Sequence, residues 1–253
     1  MLRRAAPAAF AILVGWSATR GNAASAPLPP DRPPEFGRGQ TPVPASPPQS
    51  STPPAAAPTA TPAGADATCL ATLRALGAVV QEAPSPADVD PACRIETPLR
   101  LLSVADPTDP KRAIAFPDSP LVACRIAAAF APWIAHVASP VLRAGYGAPL
   151  KAVRTGPGFE CRSRNRQAGG KPSAHGLGLA VDIAAFDLTD GSSVTVAAEG
   201  RAQPPSAAFS ALRISACGSF TTVLGPGADP FHADHLHVDL QRHGSSDRYR
   251  ICQ

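Results

Sequence analysis

Two short stretches hold most of the side chains able to do chemistry. SAHGLGLAVDIAAF (173–186) places His175 and Asp182 seven positions apart, with small and apolar residues between them. FHADHLHVDL (231–240) carries His232, His235 and His237, three of the six histidines in the chain, with Asp234 and Asp239 among them. Imidazoles and carboxylates together ligate transition metals or move protons, and both tasks need the groups gathered within a few ångströms.

A pair of strands would gather them. Side chains alternate between the two faces of a strand, so LAVDIAAF puts Ala180, Asp182 and Ala184 on one face and Val181 and Ile183 on the other. A carboxylate between two alanines leaves open space above the sheet. HLHVDL puts His235, His237 and Asp239 on one face, opposite Leu236, Val238 and Leu240. Gly176 and Gly178 let the chain turn His175 back toward Asp182. Side by side, the two strands bring His175, Asp182 and His237 together. Two imidazoles, one carboxylate and an open fourth position form the ligand set of a catalytic zinc site, with ligand distances of about 2.0–2.2 Å. Nitrogen donors favour zinc over calcium or magnesium. Asp239 either orients a ligand histidine from behind or faces solvent.

The rest of the chain must position these strands. TCLATLRALGAVV has apolar residues at helical spacing, and SPLVACRIAAAFAPWIAHVASPVLRAG (119–145) predicts a long buried helix, or a pair broken near Pro132. Then come short β-like pieces, LKAVRT, LAVDIAAF, SSVTVAA, FTTVLG and HLHVDLQ, with a helical PPSAAFSALRISACG before the last two. Helices first and strands later predict an α+β domain with a mostly antiparallel sheet carrying the site.

The N-terminal stretch MLRRAAPAAFAILVGWSATRGNAASAP has the layout of a secretory signal, with an apolar run short of the roughly 20 residues of a membrane span. We therefore expect a signal peptide over 1–24, no stable membrane insertion after its cleavage, and an exported protein of the periplasm or cell envelope. Removal of Arg3, Arg4 and Arg20 takes the formal net charge from +4 to +1, which leaves no electrostatic case for a nucleic-acid partner. Residues 25–66, rich in Pro, Ala, Ser and Thr, predict a disordered linker that cannot bury enough apolar surface to fold. The stretch 67–253 is long enough for one domain with a substantial core.

Six cysteines, Cys69, Cys93, Cys124, Cys161, Cys217 and Cys252, follow the signal with no C-x-x-C pair. That reads as three disulfides in an oxidising compartment. Chain order alone pairs Cys69 with Cys93, Cys124 with Cys161, and Cys217 with Cys252.

The pattern S-x-H-x-x-G-x-A-x-D followed by H-x-H, here Ser173, His175, Gly178, Ala180, Asp182, His235 and His237, resembles the zinc peptidase superfamily. That superfamily contains lysostaphin-type peptidases, D-alanyl-D-alanine carboxypeptidases and dipeptidases, and the hedgehog domain. Within it, CRSRN, AHGLGLAVDIAAF, ACGSFTTVLGPGADPFHADHLHVDL and the cysteine pattern are most similar to the bacterial extensin-like C-terminal domain family. The resemblance covers 67–253 and implies that His175, Asp182 and His237 bind Zn2+. It also implies an acid/base group at Asp234, where the dipeptidase branch has a Glu one methylene longer, with His235 as the rival. It further implies substrate or oxyanion contacts from Arg162, with Arg164 beside it, since a guanidinium fork suits a carboxylate. Ser173 sits beside the ligand His175, where its hydroxyl fixes the loop or meets substrate. The activity expected is hydrolysis of peptidoglycan peptides as a carboxypeptidase or endopeptidase. The alternative is a zinc-containing wall-binding module without catalysis, and a third reading makes the protein purely structural.

Overall fold

The helical periodicity after the linker becomes α1 (Ala63–Ala75), which stops where Gly77 takes φ 68° and turns the chain into β1 (Val79–Glu82). In this computed structural model the described residues are 63–167, 169–244 and 249–253, all within Pro58–Gln253, one of the two units into which the chain divides. The expected signal segment and the expected linker up to residue 62 lie outside the described residues.

Three strands follow that the sequence reading did not anticipate: β2 (Pro98–Ala105), β3 (Ala113–Ala115) and β4 (Leu121–Ala123). Their apolar residues, Leu99, Leu101, Val104, Ile114 and Val122, are fully buried. The apolar run then forms α2 (Cys124–Trp133), a π-helical segment Ile134–Ala138, and α3 (Ser139–Tyr146). Pro132 is accommodated inside α2, so the helix is not broken there. The lost proline N–H and its crowding of the preceding turn are followed by the wider π turn, a common way to absorb a disturbed ladder. Among the described residues, Cys124–Tyr146 is the one helix long and apolar enough to cross a membrane. Its Ile126, Phe130, Trp133, Ile134 and Leu142 are instead taken up by the core.

The chain continues through β5 (Leu150–Thr155), β6 (Ala180–Leu188), β7 (Ser193–Thr195), α4 (Val196–Arg201), α5 (Ala207–Ser219), β8 (Thr222–Leu224), β9 (Leu236–Asp239) and β10 (Ile251–Cys252). One sheet contains all the strands in the order β1-β2-β3-β5-β6-β9-β8-β10, with β4 added on β2 and β7 on β6. The class is α+β, but the sheet is mixed rather than mostly antiparallel: β3 pairs with β5, and β8 with β10, in parallel. Parallel neighbours need a crossover, and the α2–α3 run supplies one between β3 and β5.

Phe116, Phe130, Trp133 and Phe220 form an aromatic cluster with centroids 5.6–6.5 Å apart. Val181 and Ile183 of β6 and Leu236 and Val238 of β9 join the same core. Burial of such side chains stabilises the fold by about 1.5–3 kcal/mol each. It also fixes which face of β6 and β9 is left for Asp182 and His237.

Three disulfides close the domain, Cys69–Cys124, Cys93–Cys161 and Cys217–Cys252, and no described cysteine is free. The third pair is the one expected from chain order, and the first two correct it. Cys69 lies on α1, which packs against the start of α2 at Cys124. Cys93 lies instead beside the turn that carries His175, with its Sγ against Gly176. Chain order does not register that β2, β3 and β4 come between these segments.

Candidate metal centre

β6 and β9 pair antiparallel with Asp182 directly opposite His237. This register follows from the alternation: with Val181, Ile183, Leu236 and Val238 committed to the core, a one-residue slip would bury the polar face. His175 reaches the pair from a 3-10 turn, Ala174–Leu177, that is capped by Ser173, whose Oγ accepts the His175 N–H at 3.4 Å. The turn ends at Gly178 with φ 64°. A Cβ at Gly178 would lie 2.5 Å from Ile95 Cδ1 and 3.0 Å from Ala123 N, so glycine is required both for the conformation and for the space.

The three side chains converge. His175 Nε2 lies 3.2 Å from Asp182 Oδ2 and 3.2 Å from His237 Nδ1, and His237 Nδ1 lies 2.8 Å from Asp182 Oδ1. One ligand atom from each residue falls within 4.8 Å of the others. The remaining imidazole nitrogens are engaged from behind. His175 Nδ1–H donates to the Gly158 carbonyl at 2.7 Å, and His237 Nε2–H donates to Asp239 Oδ2 at 3.1 Å. Backing of this kind fixes the tautomer and orientation of metal-ligating histidines.

The electrostatics call for positive charge at the centre. Burial opposes ionisation of Asp182, but hydrogen bonds from His175 and His237 outweigh it and hold the carboxyl well below its usual range. Burial likewise opposes charge on His237, yet Asp182 and Asp239 push its pKa up to about 9. The donor set, the close convergence and this demand for a cation fit a divalent metal with nitrogen and oxygen ligands, zinc above all.

His235 stands next to the triad, with Nε2 3.7 Å from Asp182 Oδ1. Its Nδ1–H donates to Asp234 Oδ1 at 2.9 Å, which leaves Nε2 as a bare acceptor facing the centre. Asp234 itself is 77% exposed and touches the triad only through His235. A second histidine of the same kind is His232. Its Nδ1–H donates to Asp229 Oδ1 at 2.8 Å, and its ring lies 5.2 Å from that of His235 and 5.6 Å from that of His237. Burial lowers the His232 pKa, and the neighbouring histidines lower it further against the pull of Asp229. From the sequence alone His232 either lines the site or caps a turn, and the structure places it in the lining of the cleft around the triad. Its signal is the ADPF that precedes it: Asp229 caps the turn Pro230–His232, accepting from Phe231 N and His232 N, with Pro in the first turn.

The triad lies in a cleft of about 460 Å³ whose lining includes His232 and His235 as well as Arg162, Arg164 and Arg166. Arg162 and Arg166 both bind Glu160, at 2.7 and 2.6 Å. Burial raises the Glu160 pKa, but the two guanidinium groups outweigh that and hold it low. Arg164 NH2 donates to the neutral Gln241 Oε1 at 2.6 Å. Ser173 also lines the cleft, though 5% exposed and occupied with its capping bond.

No curated protein and no solved structure matches the chain. The family model described as the Extensin-like protein C-terminus matches residues 67–253, a stretch that makes up well over half of the chain and contains the whole candidate centre, and on that match the chain belongs to the extensin-like C-terminal family.

Proposed function

We propose that this protein is an exported zinc-dependent peptidase that hydrolyses peptide bonds of bacterial peptidoglycan. The observation that carries the reading is the convergence of His175 Nε2, Asp182 and His237 Nδ1 in the lining of a cleft, with both imidazoles backed by fixed acceptors. The motif resemblance to zinc peptidases supports the substrate class, and the three disulfides, with the signal-like N-terminus, support the periplasm or cell envelope. Zinc, when bound by the triad, supplies Lewis-acid activation of water and of the scissile carbonyl.

The chain's own residues divide the remaining work. His235 Nε2, bare and turned inward, takes the proton of the attacking water and returns it to the leaving amine, while Asp234 holds its other nitrogen. His232 is arranged in the same way one step further from the triad. Arg164, bound only to a neutral amide, has charge available for a substrate carboxylate, whereas Glu160 already occupies Arg162 and Arg166.

The test is digestion of purified peptidoglycan with zinc-loaded and chelated protein, with products identified by mass. Zinc-dependent release of peptide fragments is expected. Zinc binding with retention on the wall and no released fragment would overturn the peptidase reading in favour of a wall-binding module.

A further inference from the structure

The two histidines of the triad are held from behind by unlike partners. Behind His175 is a neutral backbone carbonyl, that of Gly158, while behind His237 is the carboxylate of Asp239, 6% exposed. Asp239 ends β9, opposite Ala180 of β6 and Thr222 of β8. Its Oδ1 accepts from Gln241 N at 2.9 Å and Thr221 Oγ1 at 3.3 Å, which leaves Oδ2 directed at His237 Nε2. A buried carboxylate is costly unless its charge is answered, and the answering group here is the imidazole of His237.

We propose that Asp239 is a positioning residue that sets the strength of metal binding. By holding the His237 proton on Nε2 it presents Nδ1 to the triad, and its charge makes that nitrogen a stronger donor than the Gly158 carbonyl makes Nε2 of His175. The proposal rests on the reading that His175, Asp182 and His237 hold a metal. Partners of this kind change metal affinity by about 10–100-fold. The sequence offers this arrangement as one of two readings and does not choose between them, because an Asp two positions after the last histidine shares its strand face whether buried or exposed.

The experiment titrates the full chain with zinc alone against a chromophoric chelator. Asp239→Asn keeps shape and an acceptor but loses the charge, and about tenfold weaker binding is expected. Asp239→Ala loses both, and a weakening toward 100-fold is expected. Asp234→Asn removes an equal charge near His235 and should bind zinc as wild type does. In 15N-histidine spectra of the zinc-loaded protein, His237 should carry its proton on Nε2 and bind through Nδ1 in wild type, and that single arrangement should be lost in Asp239→Ala. Wild-type affinity in both Asp239 variants, or equal weakening in Asp234→Asn, overturns the proposal while leaving the metal reading intact. No zinc uptake by the wild type overturns both. If circular dichroism shows that Asp239→Ala is unfolded, the isosteric Asn variant decides.

Discussion

The histidine and arginine parts of the cleft lining are built by different means. In the histidine part, Asp182 and His237 are a cross-strand pair in the middle of the sheet, and the core residues on the opposite face fix their register. In the arginine part, Arg162, Arg164 and Arg166 sit on irregular chain in which Asn165 and Arg166 take positive φ. That loop is held by Cys93–Cys161, by the ion pairs to Glu160 and by a bridge from Ser163 to Pro172. Metal ligation tolerates misplacement of only tenths of an ångström, and a packed sheet supplies that precision. Recognition of a substrate tolerates variation, and a tethered loop supplies it.

The comparison predicts that damage to the sheet part abolishes function, while damage to the loop part degrades it. The largest effect is expected for His175→Ala, Asp182→Ala and His237→Ala: each should lose stoichiometric zinc in metal analysis and drop wall-peptide hydrolysis to background. Full metal occupancy in all three would remove the sheet part's special status. Next is His235→Gln, which should keep zinc and lose about 10²–10⁴-fold in kcat, the usual contribution of acid–base catalysis. Asp234→Asn should lose less, since the amide still accepts from His235 Nδ1. The reverse ranking would make Asp234 the base.

In the loop part, replacing Cys93 and Cys161 together by serine should lower unfolding stability by about 2–5 kcal/mol in urea titrations. KM should rise while zinc content stays unchanged. Zinc loss in that variant would show the two parts to be one mechanical unit. The smallest effect is expected for Arg164→Gln. Loss of a charge-assisted hydrogen bond worth about 1.5–3 kcal/mol should raise KM for substrates with a free carboxylate and leave kcat nearly unchanged. Equal losses on carboxylate and amidated substrates would count against the assignment of Arg164 to that group.

The same division explains what could be read from the sequence. The alternation in LAVDIAAF and HLHVDL survives in β6 and β9 because every second residue answers to one shared core. The spacing of His175, Asp182 and His237 was legible for that reason. β3, β4 and β10 are only two or three residues long, too short for a sustained alternation to register. The parallel pairing of β3 with β5 depends on where a helix delivers the chain, a long-range fact with no local trace. The Gly158 carbonyl is backbone and carries no residue-type signal. Disulfide partners depend on the packing of α1 against α2, so order along the chain misassigned two of the three pairs.

The turn that carries His175 has a further consequence. Gly178 is fastened to the chain entering α2 through the Ala123 N–H, which donates to its carbonyl at 2.8 Å. His237 is separated from Asp182 and His175 by 55 and 62 positions. Contacts of such range form late, after the chain entropy of closing them has been overcome. Unlike a zinc finger, in which the ion organises an otherwise unfolded chain, this centre has no seat for a metal until the helix, the sheet and the Cys93–Cys161 closure are in place. On the proposed zinc reading, metalation would therefore come last in the protein's maturation, and a chain that had taken up its metal would already have passed a test of correct folding.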